Sequence, residues 1–93
     1  MAALPVPASV YFNDFAFDVK EYEILSRGKV IGVYRGLKNS EHGKPYIHFL
    51  LSDGPQIAVG DVLRRVDGSA GYTAIRVGQD EYDGKPELVR VYI

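Results

Sequence analysis

His42 and His48 are the only histidines of the chain, and they are the first residues whose type invites a reaction. A metal would need more than this pair, and only Glu41 and Asp53 stand near enough in sequence to complete a ligand set. The simpler reading is a solvated loop His42 and a His48 on the exposed or interfacial face of a strand. The acidic run Asp80-Glu81-Tyr82-Asp83-Gly84 invites calcium instead. With Gly84 at the sixth position of an EF-hand loop, Gln79 falls at the first and Arg90 at the twelfth, where carboxylates are required. The run therefore reads as a turn with solvated charge. Gly28, Gly32 and Gly36 lack the Lys-Ser/Thr of a phosphate loop and read as points of strand curvature. Ser26, Ser40, Ser52, Ser69 and Thr73 have no Gly-x-Ser-x-Gly elbow, and there is no Cys for thiolate chemistry or a disulfide. The expectation is no catalytic residue, no metal site, no cofactor and no enzyme.

Binding is the better use of these residue types. Seven tyrosines and the arginines give large contact area with polar tips, the composition that interfaces favour. The net charge is -1, but residues 1–23 carry -3, residues 24–48 carry +4 and residues 49–93 carry -2. The candidate partner-binding residues are therefore Arg27, Lys29, Tyr34, Arg35, Lys38, Lys44 and Tyr46, in the basic middle. A general nucleic-acid binder would carry a surplus over the whole domain, with pI above about 9. The alternative reading is nonetheless a small SH3-like or OB-like barrel that binds nucleic acid through the 27–48 hairpin, cations on phosphates and Tyr34 or Tyr46 on bases.

The elements that would position these residues read as strands. Phe15, Phe17 and Val19 alternate with polar or small residues, and Tyr22 and Ile24 continue in the opposite phase, so a bulge or bend is expected between Val19 and Tyr22. A short helical turn near 18–25 competes, because Phe15, Val19 and Tyr22 also lie at helical spacing. Residues 29–35 and 46–51 form a hairpin around a polar loop at 37–45, and further strands follow at 62–66, 72–77 and 88–93. Turns fall at 52–55, 67–71 and 79–86. The fold expected is all-β, a five- or six-stranded antiparallel barrel or rolled sandwich over residues 9–93, preceded by a flexible arm at 1–8. Ninety-three residues suffice for one such core and no more. The start of the chain lacks a basic n-region, Pro5 and Pro7 interrupt its apolar stretch, and no run approaches the ~20 apolar residues of a membrane span.

The ordered string is more specific than any single residue. Lys29-Val-Ile-Gly-Val-Tyr-Arg-Gly36, an apolar strand, Val59-Gly-Asp-Val-Leu-Arg64, Gly71-Tyr-Thr-Ala-Ile-Arg-Val77 and Glu87-Leu-Val-Arg-Val-Tyr-Ile93 together resemble the head-tail joining proteins of tailed phages. The likeness covers residues 29–93 and does not extend to the chain before residue 24 or to the 37–46 loop. It implies a non-catalytic virion assembly protein, present in the host cytoplasm during assembly and then in the virion. Its partners would be connector or portal proteins on one side and tail proteins on the other. The subunit, a monomer when free, would join a homo-oligomeric ring, and nucleic acid would meet it only as packaged DNA in a lumen. The 37–45 loop and the N-terminal arm are expected to order only on docking.

Overall fold

Three turns of the same kind set the course of the chain. Arg27-Gly28, His42-Gly43 and Asp83-Gly84 each have both residues at positive φ, with the non-glycine member at 52–54° and the glycine at 76–79°. This is the two-residue hairpin geometry that matches the twist of paired strands. The computed structural model describes residues 2–3, 7–14 and 18–93. In chain order they form β1 (Ala2–Ala3), α1 (Ala8–Asp14), β2 (Val19–Ser26), β3 (Lys29–Glu41), β4 (Lys44–Leu50), a 3-10 turn at Leu51–Asp53, β5 (Val62–Arg65), β6 (Gly71–Thr73), β7 (Arg76–Tyr82) and β8 (Lys85–Tyr92). All eight strands join one sheet in the order β1-β7-β8-β4-β3-β2-β5-β6, and every pairing is antiparallel except that of β1 with β7.

The all-β reading holds, with more strands than the five or six expected. The sheet is also not closed, because β6 at one end and β1 at the other are not joined. It is rolled instead. Only Ala74 and Ile75 separate β6, an edge strand, from β7, the second strand from the opposite edge. Gly60 N–H donates to Ala74 O, and Ile75 N–H to Tyr92 O, which ties the connection down. The Gly60-Asp61 approach to β5 works as a tight turn, with Gly60 at φ +95° and the buried Asp61 carboxylate accepting the Ala58 N–H at 2.9 Å.

Several boundaries differ from the sequence reading. Residues 18–25 contain no helical turn, since β2 occupies Val19–Ser26. The register shift lies between Ile24 and Leu25 rather than between Val19 and Tyr22, whose side chains simply belong to opposite faces. The proposed strand residues Phe15 and Phe17 lie outside the described residues. The 37–45 loop is strand on both sides of a two-residue turn, with Glu41 paired to Lys44. Likewise 79–86 is mostly strand, and the 72–77 run is split into β6 and β7. Polar residues fill these strand segments because one face of each is wet, which hides them from a search for apolar runs.

Both faces of the sheet carry apolar residues. The inner face buries Tyr22, Ile24, Ile47, Phe49, Leu63, Val89 and Val91 together with Ala74. On the outer face Leu37, Leu50 and Leu88 form a second cluster with Phe12 of α1, and Val19 packs against it. A seven-residue helix has little stability by itself. Phe12 is what anchors α1 to the sheet. Among the described residues, no helix is long and apolar enough to cross a membrane.

Gly36 is where the inner core tests the backbone most closely. A Cβ there would stand 2.7 Å from Ile47 Cγ2 and 2.9 Å from the Tyr22 ring. Gly36→Ala is expected to lower stability by about 1–3 kcal/mol in urea titration, as overpacking does. Gly71→Ala meets open space and should change stability by no more than about 0.5 kcal/mol.

Candidate functional site

On the half of the outer face that Leu37, Leu50 and Leu88 leave uncovered, the strand register brings ionisable groups together. His48 of β4 pairs across to Arg90 of β8, Arg90 to Gly78 of β7, and Tyr46 to Tyr92. Asp80 of β7, two residues beyond Gly78 and paired with Leu88, is 2% exposed. Its Oδ2 accepts from Arg90 Nε at 2.8 Å and from His48 Nε2 at 2.6 Å, and stands 2.7 Å from Arg90 Nη2. Arg90 Nη1 donates to Glu41 Oε2 of β3 at 2.8 Å. The guanidinium lies over the Tyr46 ring, 4.2 Å from its centroid, and Arg76 covers Tyr92 in the same way at 4.3 Å. Side chains of β3, β4, β7 and β8 are thereby clasped around one buried carboxylate.

The protonation states follow from this surrounding. Burial lowers the His48 pKa, and Arg90 beside it adds to that, against the pull of Asp80. His48 is therefore neutral near pH 7, and its Nε2–H donates to Asp80 in a hydrogen bond rather than an ion pair. Burial works against the charge of Arg90 as well, but hydrogen bonds to Glu41, Tyr92 and Asp80 outweigh it and hold the guanidinium pKa above its usual value. The Arg90 hydrogen bond holds the Glu41 carboxyl below the ordinary carboxylate range. Burial raises Tyr46. Asp80 and Glu41 against Arg90 and Arg76 leave the cluster close to neutral, as a half-buried set of charges requires. Chemically it is a clasp, with the His48 Nε2 already committed to Asp80. Among the described residues no cluster of His, Cys, Asp and Glu could hold a metal ion.

Only one of the seven candidate binding residues belongs to this cluster, and that is Tyr46, buried beneath Arg90. Arg27 and Lys29 sit exposed at the β2–β3 turn, Lys44 at the β3–β4 turn. The thirteen residues of β3 between them reach about 40 Å when straight, so these cations occupy opposite ends of a strand. Arg35 stands 3.6 Å from Asp53, and Lys38 lies 5.8 Å from the centroid of the Tyr72 ring. Tyr34 packs against the inner core, its hydroxyl 3.5 Å from Gly54 O. The basic stretch is thus dispersed rather than gathered into one patch.

Asp80, Arg90, Glu41 and Tyr92 were not among the candidate binding residues. Asp80 stood in what looked like a solvated turn, a reading its burial corrects. His48 is no freely exposed residue either, its side chain being 12% accessible. The strand at 88–93 was legible, but not which strand would lie beside it. Comparison with protein-family models, curated proteins and solved structures finds no match to this chain.

Asp80→Ala leaves Arg90 and His48 buried without their anion and is expected to cost about 3–5 kcal/mol in urea unfolding. The pH dependence has a definite sign. The unfolded chain protonates His48 near pH 6.5 and the native state only at lower pH, so stability falls as pH drops below about 6.5. Glu41, depressed from 4.5, contributes stability that is lost only at more acid pH, as the pH falls through its native value. Urea midpoints measured from pH 8 to 4 should show the first decline in the wild type and lose it in His48→Gln.

Proposed function

We propose that this chain is a non-catalytic assembly module, a subunit that docks between connector or portal and tail components of a phage or prophage particle. The proposal joins the resemblance of residues 29–93 to head-tail joining proteins with one observation on the sheet. On the outer face, Val30, Ile31 and Val33 of β3 stay 45–49% exposed, and Val62 of β5 is 37% exposed. The register sets Val30 and Val62 on either side of Leu25 in one cross-strand row, with Val33 opposite Glu23 in the next. Exposed β-branched residues grouped in this way fit a surface that another protein covers. Arg27 and Lys29 at the end of the same hairpin supply the charged rim that such interfaces carry.

A ring built from one chain needs two different surfaces that complement each other. The Val30–Val62 face, with Arg27 and Lys29 on its rim, would supply one of them. Sedimentation velocity over a wide concentration range, alone and with connector or tail proteins, tests the reading. Oligomers or mixed complexes are expected, and the double variant Val33→Lys, Val62→Lys should weaken them about ten-fold or more while leaving the urea midpoint nearly unchanged. A protein that stays monomeric throughout and binds no connector or tail component overturns it.

A further inference from the structure

β7 is half covered. Along one side it pairs with β8 from Arg76 to Tyr82, but on the other β1 pairs only with Asp80 and Glu81. Among the described residues, no strand lies against Arg76–Gln79 on that side. Sheet edges are usually shielded by a bulge, a proline or an inward charge. The β7 bulge falls at Asp80/Glu81, where β1 already sits, and leaves the open stretch regular.

Among the described residues nothing requires Gly78, in the middle of that stretch, to be glycine. It is absent from the residues with positive φ, and a Cβ on it would meet nothing within 4 Å. Glycine weakens a strand, and where neither turn nor packing asks for it, it marks close approach by another backbone. Gly78 is also the floor of a cleft of about 310 Å³, walled by Glu41, Arg76, Gln79, Asp80, Arg90 and Tyr92. Of these, Arg90, Asp80 and Glu41 satisfy one another. Arg76 rests on the Tyr92 ring, and it has no carboxylate partner among the described residues. Among the described residues the side chain of the exposed Gln79 has no hydrogen bond either. What the cleft offers an incoming group is thus one guanidinium with no direct carboxylate partner and one amide, beside a strand edge that no other described residue pairs.

We infer that the Arg76–Gln79 edge of β7 receives an extended acidic peptide segment of a partner protein as an added strand, in line with β1, with a carboxylate of the segment on Arg76. Backbone pairing supplies affinity and Arg76 supplies selection, because a guanidinium binds a carboxylate with charge-assisted hydrogen bonds and repels a basic side chain. The site is distinct from the Val30–Val62 face and does not depend on the assembly reading. Its test reads peptide binding rather than oligomer formation.

The probe is a fluorescein-labelled eight-residue Val/Thr peptide with a central Glu, titrated into the full chain by anisotropy and followed in parallel by amide chemical shifts. Saturable binding is expected, with the largest shifts at residues 76–79. Replacing the peptide Glu by Lys, or Arg76 by Gln, should weaken binding about ten-fold or more. Methylating alternate peptide amides should abolish it, since strand addition needs those N–H groups. Arg76 is exposed, so Arg76→Gln should keep the wild-type urea midpoint. Absence of binding, equal affinity for the Glu and Lys peptides, or binding indifferent to N-methylation overturns the proposal. So do shifts at 76–79 on concentrating the protein alone, which would make a second copy the occupant.

Discussion

β3 is shared between two neighbours, and the rest of the sheet follows from how it is divided. From Lys29 to Leu37 it pairs with β2, and from Gly36 to Glu41 it pairs with β4. Only Gly36 and Leu37 are paired on both sides. A strand that hands over its partners midway cannot lie in a flat sheet, and the right-handed twist of strands turns the offset into a roll. Gly36 stands at the crossing, where Ile47, Tyr22 and Phe49 come within 3.0 Å of the place a Cβ would take. The inner core can close over the backbone there because no side chain is in the way.

The roll leaves an outer face with two kinds of surface. Toward α1 it is apolar, Phe12 sealing Leu37, Leu50 and Leu88. Toward the β3–β4 turn it is charged, and the clasp around Asp80 does what apolar packing does elsewhere, holding four strands in register. A clasp of this kind gives less net stability than an apolar cluster of the same size, but it penalises the wrong register heavily, because a one-residue slip would bury Asp80 or Arg90 unpaired. It also leaves Arg76 over. That residue shares the cleft and balances its charge without a direct salt bridge among the described residues, so the same cluster that fixes the strands leaves a cation beside the β7 edge.

The amount that could be read in advance divides along the same line. Val30-Ile31-Gly32-Val33-Tyr34 and Tyr46-Ile47-His48-Phe49-Leu50 announce strands through β-branched and aromatic residues. Lys38-Asn39-Ser40-Glu41 does not, although it is strand, because its partner strand rather than its own propensity holds it extended. Asp83-Gly84 is a familiar hairpin turn and His42 is of a type that tolerates positive φ, whereas Arg27 stands where its type is seldom found. The glycine is the signal common to all three turns.

By itself the sequence determined that this is an all-β protein, with hairpins punctuated by glycine and a basic middle between acidic segments. These are local properties, fixed by propensity, turn chemistry and count. Tertiary structure alone decided that the sheet stays open, that Asp80 is buried, and that the cations of residues 27–44 lie far apart. Each of these depends on which strands become neighbours, and that is set by long-range pairing between segments such as β4 and β8, separated by more than thirty residues. No window of sequence holds both members of such a pair, so the clasp, the cleft and the free β7 edge come into being only when the chain is folded.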